Sequence, residues 1–167
     1  MSVILVRVDQ RLLHGQVVEG WVPFLKVDGV VVADDKIAGD MISTIALTAA
    51  CPAKVKLTVL TVEAAAAAAA LGTLPGKRTL VLVGTVASLD RIWAAGLRSE
   101  QVNVGNVPIA EGRVRVTPSV ALSPAELKCL DAIAAGGVEV EARAVPKERA
   151  CSLAAIHAAV DPAKGST

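Results

Sequence analysis

The chain has 167 residues, of which 53% are hydrophobic and 20% charged, with a formal net charge of +1. That length suits one domain with a sizeable core, and the near-neutral charge removes the electrostatic case for nucleic acid or a membrane surface. Aromatic content of 2% with no Tyr argues against base stacking, and no apolar run reaches the roughly 18 residues of a membrane-spanning helix.

The first element in chain order is the hydrophobic run Val3-Ile4-Leu5-Val6, which predicts a buried strand. It has no preceding basic segment or small-residue cleavage site, so no signal peptide is expected. The run leads into a charged stretch, Arg7, Asp9 and Arg11, that ends in His14-Gly15-Gln16. This stretch is predicted to be a loop at the strand's C-terminal end, the edge at which open parallel α/β sheets bind ligands. Neutral imidazole is a good nucleophile near neutral pH. Arg11 can present a planar fork of donors to phosphate oxygens, and Asp9 can accept from the imidazole or from Arg11. Backbone N–H groups from Gly15 onward, with Gln16, open a helix and favour an anion there. Nucleophile, cation and helix terminus together suit the acceptance and onward transfer of a phosphoryl group.

Val17, Val18, Trp21 and Val22 mark one face of the following helix, which Gly20 weakens and Pro23 is expected to end. Val30 to Ala33 predicts a second buried strand. Asp34 and Asp35 follow it, and one of them is expected to cap the helix that begins near Ile37. A metal or general-base role is the alternative for the two carboxylates, and on the predicted ligand-binding edge Asp35 could line a pocket. Ile37, Met41, Ile45 and Ala49 recur every four residues, predicting one helix with a narrow buried face, closed by Cys51-Pro52. Val55 to Thr61 predicts a third strand. Glu63 and seven alanines then form a helix by propensity, ended by Gly72 and Pro75-Gly76.

Thr79 to Val83 is a fourth strand, followed by Gly84, Thr85 and an amphipathic helix through Leu97. Thr85 could donate to a phosphate or simply start that helix. Gln101 to Gly105 is a fifth strand, with Asn106 in the loop beyond it, and Arg113 to Thr117 a small strand or hairpin arm. Ser123-Pro124-Ala125-Glu126 is a capping box with proline at the first helical position. The pattern ends with an alternating strand from Val138 to Val145 and a terminal helix from Lys147 to Val160, in which His157 is an exposed or packed residue. Residues 1–160 are expected to form the single domain, and 161–167 a frayed tail. Cys51, Cys129 and Cys151 fit neither a zinc pattern nor a disulfide framework and read as small apolar filler in a reducing cytoplasm. No dinucleotide or phosphate-loop glycine motif is present. Strands alternating with helices predict a three-layer α/β/α domain with an open, mostly parallel sheet.

The segment Arg7-Val-Asp9-Gln-Arg11-Leu-Leu-His14-Gly15-Gln16-Val17 resembles the active-site signature of the IIB components of the mannose/fructose/sorbose family of the bacterial sugar phosphotransferase system. The similarity extends through Val31 to Asp35, Val102 to Asn106 and Val120 to Ser123, so it covers nearly the whole chain. Gln10, where an acidic residue is common, and the alanine-filled stretch depart from the pattern. The resemblance implies a sheet of six or seven strands and a cytoplasmic phosphohistidine relay. In that relay a IIA partner phosphorylates His14 on Nδ1, and His14 passes the group to a sugar moving through membrane IIC/IID subunits. Arg11 and backbone N–H groups at Gly15 and Gln16 would compensate the charge, with Asp9 and Arg7 in support and no metal or other cofactor. The partner-facing surface would take in the ends of other strands near Asp35, Thr85 and Asn106. A regulatory phospho-acceptor that moves no sugar, and a domain that only binds an anion, are the alternatives. Neither the sugar nor the oligomeric state follows from the sequence.

Overall fold

The computed structural model describes residues 1–161 and is built on a seven-stranded sheet in the order β3-β2-β4-β1-β5-β8-β9. The elements that build it are β1 (Ser2–Asp9), β2 (Gly29–Ala33), β3 (Lys56–Leu60), β4 (Arg78–Val83), β5 (Gln101–Asn106), β8 (Glu139–Ala142) and β9 (Cys151–Ser152). All pairings are parallel except β8 with β9. β6 (Val114–Thr117) and β7 (Val120–Leu122) form a separate antiparallel pair. The expected tail lies, from residue 162 on, outside the described residues.

Helices cover both faces. On one face lie a π-helical segment, Gln16–Trp21, that runs directly into α1 (Val22–Leu25), and then α2 (Asp35–Ala38) and α3 (Met41–Ala50). Trp21, Val17, Leu12 and Leu13 pack there on Leu5, Val30, Val32, Leu80 and Leu82. On the other face α4 (Val62–Ala70), α5 (Val86–Ala94), α6 (Pro124–Ala134) and α7 (Leu153–Val160) pack on Val6, Val8, Val31, Val81 and Val104. The chain therefore leaves β1 toward one face and leaves its neighbours β4 and β5 toward the other. In an open α/β sheet such a divergence opens a crevice at the strand ends, here beside the turn that follows β1.

Four expectations are corrected. Arg7 and Asp9 are not in a loop but in β1, both wholly buried. Pro23 does not end the first helix. It sits in the first turn of α1, and the helix stops at Lys26, whose φ of 53° is left-handed. The single helix through Ile37 and Ala49 is two, because Asp40 accepts from the amides of Ile42 and Ser43 and starts a new helix in a different phase. Met41, Ile42 and Ile45 consequently face outward, 77%, 80% and 62% exposed. Lastly, the final strand is only Glu139–Ala142 and the final helix only Leu153–Val160. Between them Arg143 donates to the carbonyls of Pro146 and Glu148, Glu148 accepts from the Ala144 amide, and β9 returns antiparallel. The local caps are as expected: Asp34, Thr85 and Ser123 each accept from the first turn of the helix they precede, and Ser123 with Glu126 forms a full capping box.

Candidate functional site

Successive residues of β1 alternate between the two faces of the sheet. Val6 and Val8 enter one core, while Arg7 and Asp9 point to the other, toward Trp21. The sheet closes over this pair because each group satisfies the other. The Arg7 guanidinium donates to Asp9 Oδ2 from Nε at 3.2 Å and from Nη2 at 2.9 Å. Its Nη1 donates to Asn103 Oδ1 at 2.5 Å, and its Cζ lies over the Trp21 ring, 5.2 Å from the ring centre.

Asp9 has two further contacts that shape the turn after β1. Its Oδ1 accepts from the Arg11 amide at 2.9 Å, and its backbone carbonyl accepts from the Leu12 amide at 2.9 Å. Leu12 takes a φ of +56°, an uncommon conformation for a bulky residue. Burial of the Leu12 and Leu13 side chains in the core offsets that cost. The turn brings His14 back over Asp9, so that His14 Nε2 lies 2.7 Å from Asp9 Oδ2. The carboxylate can only accept, so in the neutral ring Nε2 carries the proton and Nδ1 keeps its lone pair. The His14 side chain is 15% exposed and Nδ1 has no hydrogen-bond partner among the described residues.

Burial pushes Asp9 toward higher pKa. The hydrogen bond from His14, the Arg7 charge and the Arg11 amide outweigh it, and the carboxyl ends below its ordinary range. Burial lowers Arg7 below the usual guanidinium value, against the opposing pull of Asp9 and Glu141. Asp9 is therefore a fixed anion under the imidazole.

Arg11 is exposed, and its Nη2 donates to Gln16 Oε1 at 2.9 Å. Gly15 and Gln16 are exposed, and their amides have no backbone acceptor among the described residues. His14 O accepts from the amides of Val17 and Val18, which starts the π-helical segment. A groove beside Gly15 and Gln16 is walled by Phe24, Val145, Pro146 and Lys147.

The remaining predicted residues fall at different distances from this cluster. Asn106 ends β5, pairs with Asp9 in register and accepts from the Gln10 amide at 3.0 Å. Asp35 is turned to the opposite layer, accepting from the Val62 amide and bridging to Arg91, which also pairs with Glu63. Thr85 spends its hydroxyl on the cap of α5. Asp34, beyond capping α2, lies near Gly84 and Leu12, since a Cβ on Gly84 would stand 3.3 Å from Asp34 Oδ2 and 3.9 Å from Leu12 Cδ2. Among the described residues no group of three or more His, Cys, Asp or Glu side chains could hold a metal ion, and no helix is long and apolar enough to cross a membrane.

Asn103, Glu141 and Arg143 were missed from the sequence. Arg7, Asn103 and Glu141 are direct register neighbours across β1, β5 and β8, forming a polar row inside the sheet. The only local signal is a polar residue at a strand position flanked by valines, Val102-Asn103-Val104.

A family model described as the PTS system sorbose subfamily IIB component matches residues 3–163. The chain is 26% identical over 148 residues to the PTS system fructose-specific EIIB component of Bacillus subtilis (strain 168), covering 89% of this chain and 91% of that one. It is 28% identical over 145 residues to the PTS system mannose-specific EIIAB component of Escherichia coli (strain K12), covering 87% of this chain and 45% of that longer protein. The crystal structure of manxB from Thermoanaerobacter tengcongensis has the same fold, with a TM-score of 0.85 at 27% identity, over 93% of this chain and 95% of that one.

Proposed function

The chain belongs to the sorbose subfamily of phosphotransferase-system IIB components, and on that premise we propose that it takes a phosphoryl group from a IIA partner onto His14 Nδ1 and gives it to a sugar. The sugar would arrive through membrane IIC/IID subunits, with the protein working at the cytoplasmic side. The observation that carries this reading is the buried Asp9 carboxylate on Nε2, which leaves Nδ1 as the free nucleophile at the end of a central strand.

The transfer balances without a proton acceptor in its first step. The Nδ1 lone pair attacks phosphorus, the N–P bond of the donor's phosphoimidazolium breaks, and the donor imidazole, keeping the proton on its other ring nitrogen, leaves neutral. His14 keeps its Nε2 proton and becomes a phosphorylated imidazolium, whose charge Asp9 offsets at 2.7 Å. Arg7 keeps Asp9 ionised and aimed. In the second step a sugar hydroxyl oxygen attacks phosphorus and the Nδ1–P bond breaks. The hydroxyl proton leaves to water or to a base on the sugar-bearing partner. Arg11 and the amides of Gly15 and Gln16 compensate the charge that spreads over the equatorial oxygens. Both partners must reach His14, so their shared surface centres on residues 9–16 with Asn106 alongside. The relative whose name joins A and B in one chain supports a IIA donor for this one.

The test is incubation with phosphoenolpyruvate, the two general phosphocarrier proteins and a matching IIA, followed by intact mass. Wild type gains one phosphoryl group through a bond labile in acid and stable in base. His14→Ala gains none and His157→Ala labels normally. Full labelling of the His14 variant would remove the assignment.

A further inference from the structure

The buried Arg7 guanidinium has two carboxylates within reach of its charge, and only one of them is under His14. Asp9 takes Nε and Nη2. Glu141, two strands away, also pulls on Arg7 electrostatically. Asn103 stands between them. Its carbonyl oxygen accepts from Arg7 Nη1 at 2.5 Å, and its NH2 group donates to Glu141 Oε1 at 2.8 Å and to the Arg143 carbonyl at 3.1 Å. An amide carries its acceptor and its donors on separate atoms, so it can accept from a cation on one side and donate to an anion on the other.

Glu141 is an incompletely satisfied competitor. It is 1% exposed, and its Oε2 is buried with no hydrogen-bond partner among the described residues. Its one ion-pair partner among the described residues, Arg143, reaches Oε1 at 3.3 Å and spends Nη1 on loop carbonyls. Burial pushes the Glu141 carboxyl above its ordinary range even with Asn103 and Arg143 pulling it down. A buried carboxylate with a bare oxygen gains more from a guanidinium than one already fully bonded.

We propose that Asn103 is a positioning residue for the phosphoryl acceptor: by separating Arg7 from Glu141 it commits the guanidinium to Asp9, and so holds His14 with Nδ1 free. This rests on the reading of His14 as the acceptor. Without Asn103, Nη1 retains only the Arg143 carbonyl at 3.3 Å. Arg7 then shifts toward Glu141 Oε2, Asp9 loses its pin, and the His14 ring is no longer confined to one tautomer.

The consequence that separates this from a packing role is a rescue. Removing the amide releases Arg7 to Glu141, so removing the Glu141 charge as well leaves Asp9 as the remaining carboxylate and sends Arg7 back. The experiment uses the whole chain, with phosphoramidate as a small phosphoryl donor, so that no partner protein enters. Ring 15N shifts report the His14 tautomer and intact mass reports the labelling rate. Wild type shows the Nε2–H tautomer and labels on Nδ1. Asn103→Ala shows mixed tautomers and labels about tenfold more slowly, as a small misplacement of a reacting group costs. Asn103→Val, whose branched side chain suits a strand and carries no polar atom, behaves the same and serves if the alanine variant does not fold. Asn103→Ala/Glu141→Gln recovers the Nε2–H tautomer and most of the rate. Folded single variants with the wild-type tautomer and rate overturn the proposal. A double variant no better than the single one overturns the competition with Glu141. Failure of wild type itself to label on Nδ1 overturns instead the acceptor reading on which the proposal rests.

Discussion

At the scale of residues, the two arginines of the opening motif have different work because one is inside the sheet and the other outside. Arg7 is wholly buried and bonded on three of its nitrogens. It bonds the carboxylate from inside the sheet, and on the proposed reading it does not touch the phosphoryl group. The Arg11 side chain is exposed and, among the described residues, bonded only to the Gln16 side chain; on the proposed reading it turns to a dianion on Nδ1. A loose transition state spreads charge over three oxygens, and a bidentate guanidinium matches two of them. Removal of one such donor at comparable sites costs roughly 3 kcal/mol, so Arg11→Ala is expected to slow transfer on the order of 100-fold. Arg11→Lys keeps the charge without the fork and falls between that and wild type. Neither change unfolds the protein, since Arg11 contributes nothing to either core. Rapid-quench transfer from phospho-IIA, with circular dichroism alongside, measures both. A wild-type rate for Arg11→Ala would reduce Arg11 to a surface charge.

At the scale of elements, β5 makes room for Arg7 by a bulge. Register runs Val8 to Val104 and then Asp9 to Asn106, so Gly105 is skipped. A Cβ on Gly105 would stand 2.0 Å from the Arg7 Cζ and within 2.3 Å of both terminal nitrogens. Gly105→Ala therefore expels the guanidinium from its seat. The expected result is a loss of about 1–3 kcal/mol of stability, together with mixed His14 tautomers in the ring 15N spectrum. Loss of stability with an unchanged tautomer would detach the bulge from the acceptor. The sequence exposed the features whose causes are local. His14 with Arg11 after a hydrophobic run, the Ser123–Glu126 capping box and the strand cores all depend on neighbours within a few residues. Arg7 and Asp9 read as loop residues from the sequence because charges in a buried strand make sense only once their pairing is known. Asn103 could not be recognised, since its partners Arg7 and Glu141 lie 96 and 38 residues away. The four-residue spacing of Ile37, Met41, Ile45 and Ala49 misled for a related reason. Gly39 and Asp40 reset the helix between the first residue and the rest, and periodicity carries across such a break only on paper.

At the scale of the whole molecule, the polar row across β1, β5 and β8 places two buried carboxylates under opposite influences, and stability should record both as pH changes. Asp9 is held below its unfolded pKa because His14, Arg7 and the Arg11 amide overcome its burial. Its contribution is present above the unfolded value of about 3.9 and is lost as pH falls through the lower folded value. The exposed carboxylates Asp28, Asp35 and Glu63 and the half-buried Asp40 are shifted the same way by their hydrogen bonds, so they too weaken the fold only in stronger acid. Glu141 is raised by burial, and its sign is reversed. Above its folded pKa the native state holds a buried charge that the unfolded chain carries in water, and that cost is relieved as pH falls toward the unfolded value of about 4.3. As pH falls from neutral through the raised folded value, the Glu141 contribution therefore rises, while those of Asp9 and the other carboxylates change only in stronger acid. Urea unfolding of wild type and Glu141→Gln across pH 5 to 8 tests this through the difference between them, which cancels the groups they share. Wild type is expected to gain stability relative to the variant as pH is lowered. A constant difference across that range would mean that Glu141 does not titrate as a buried acid, and a difference of opposite slope that Arg7 and Arg143 hold it as an ion pair.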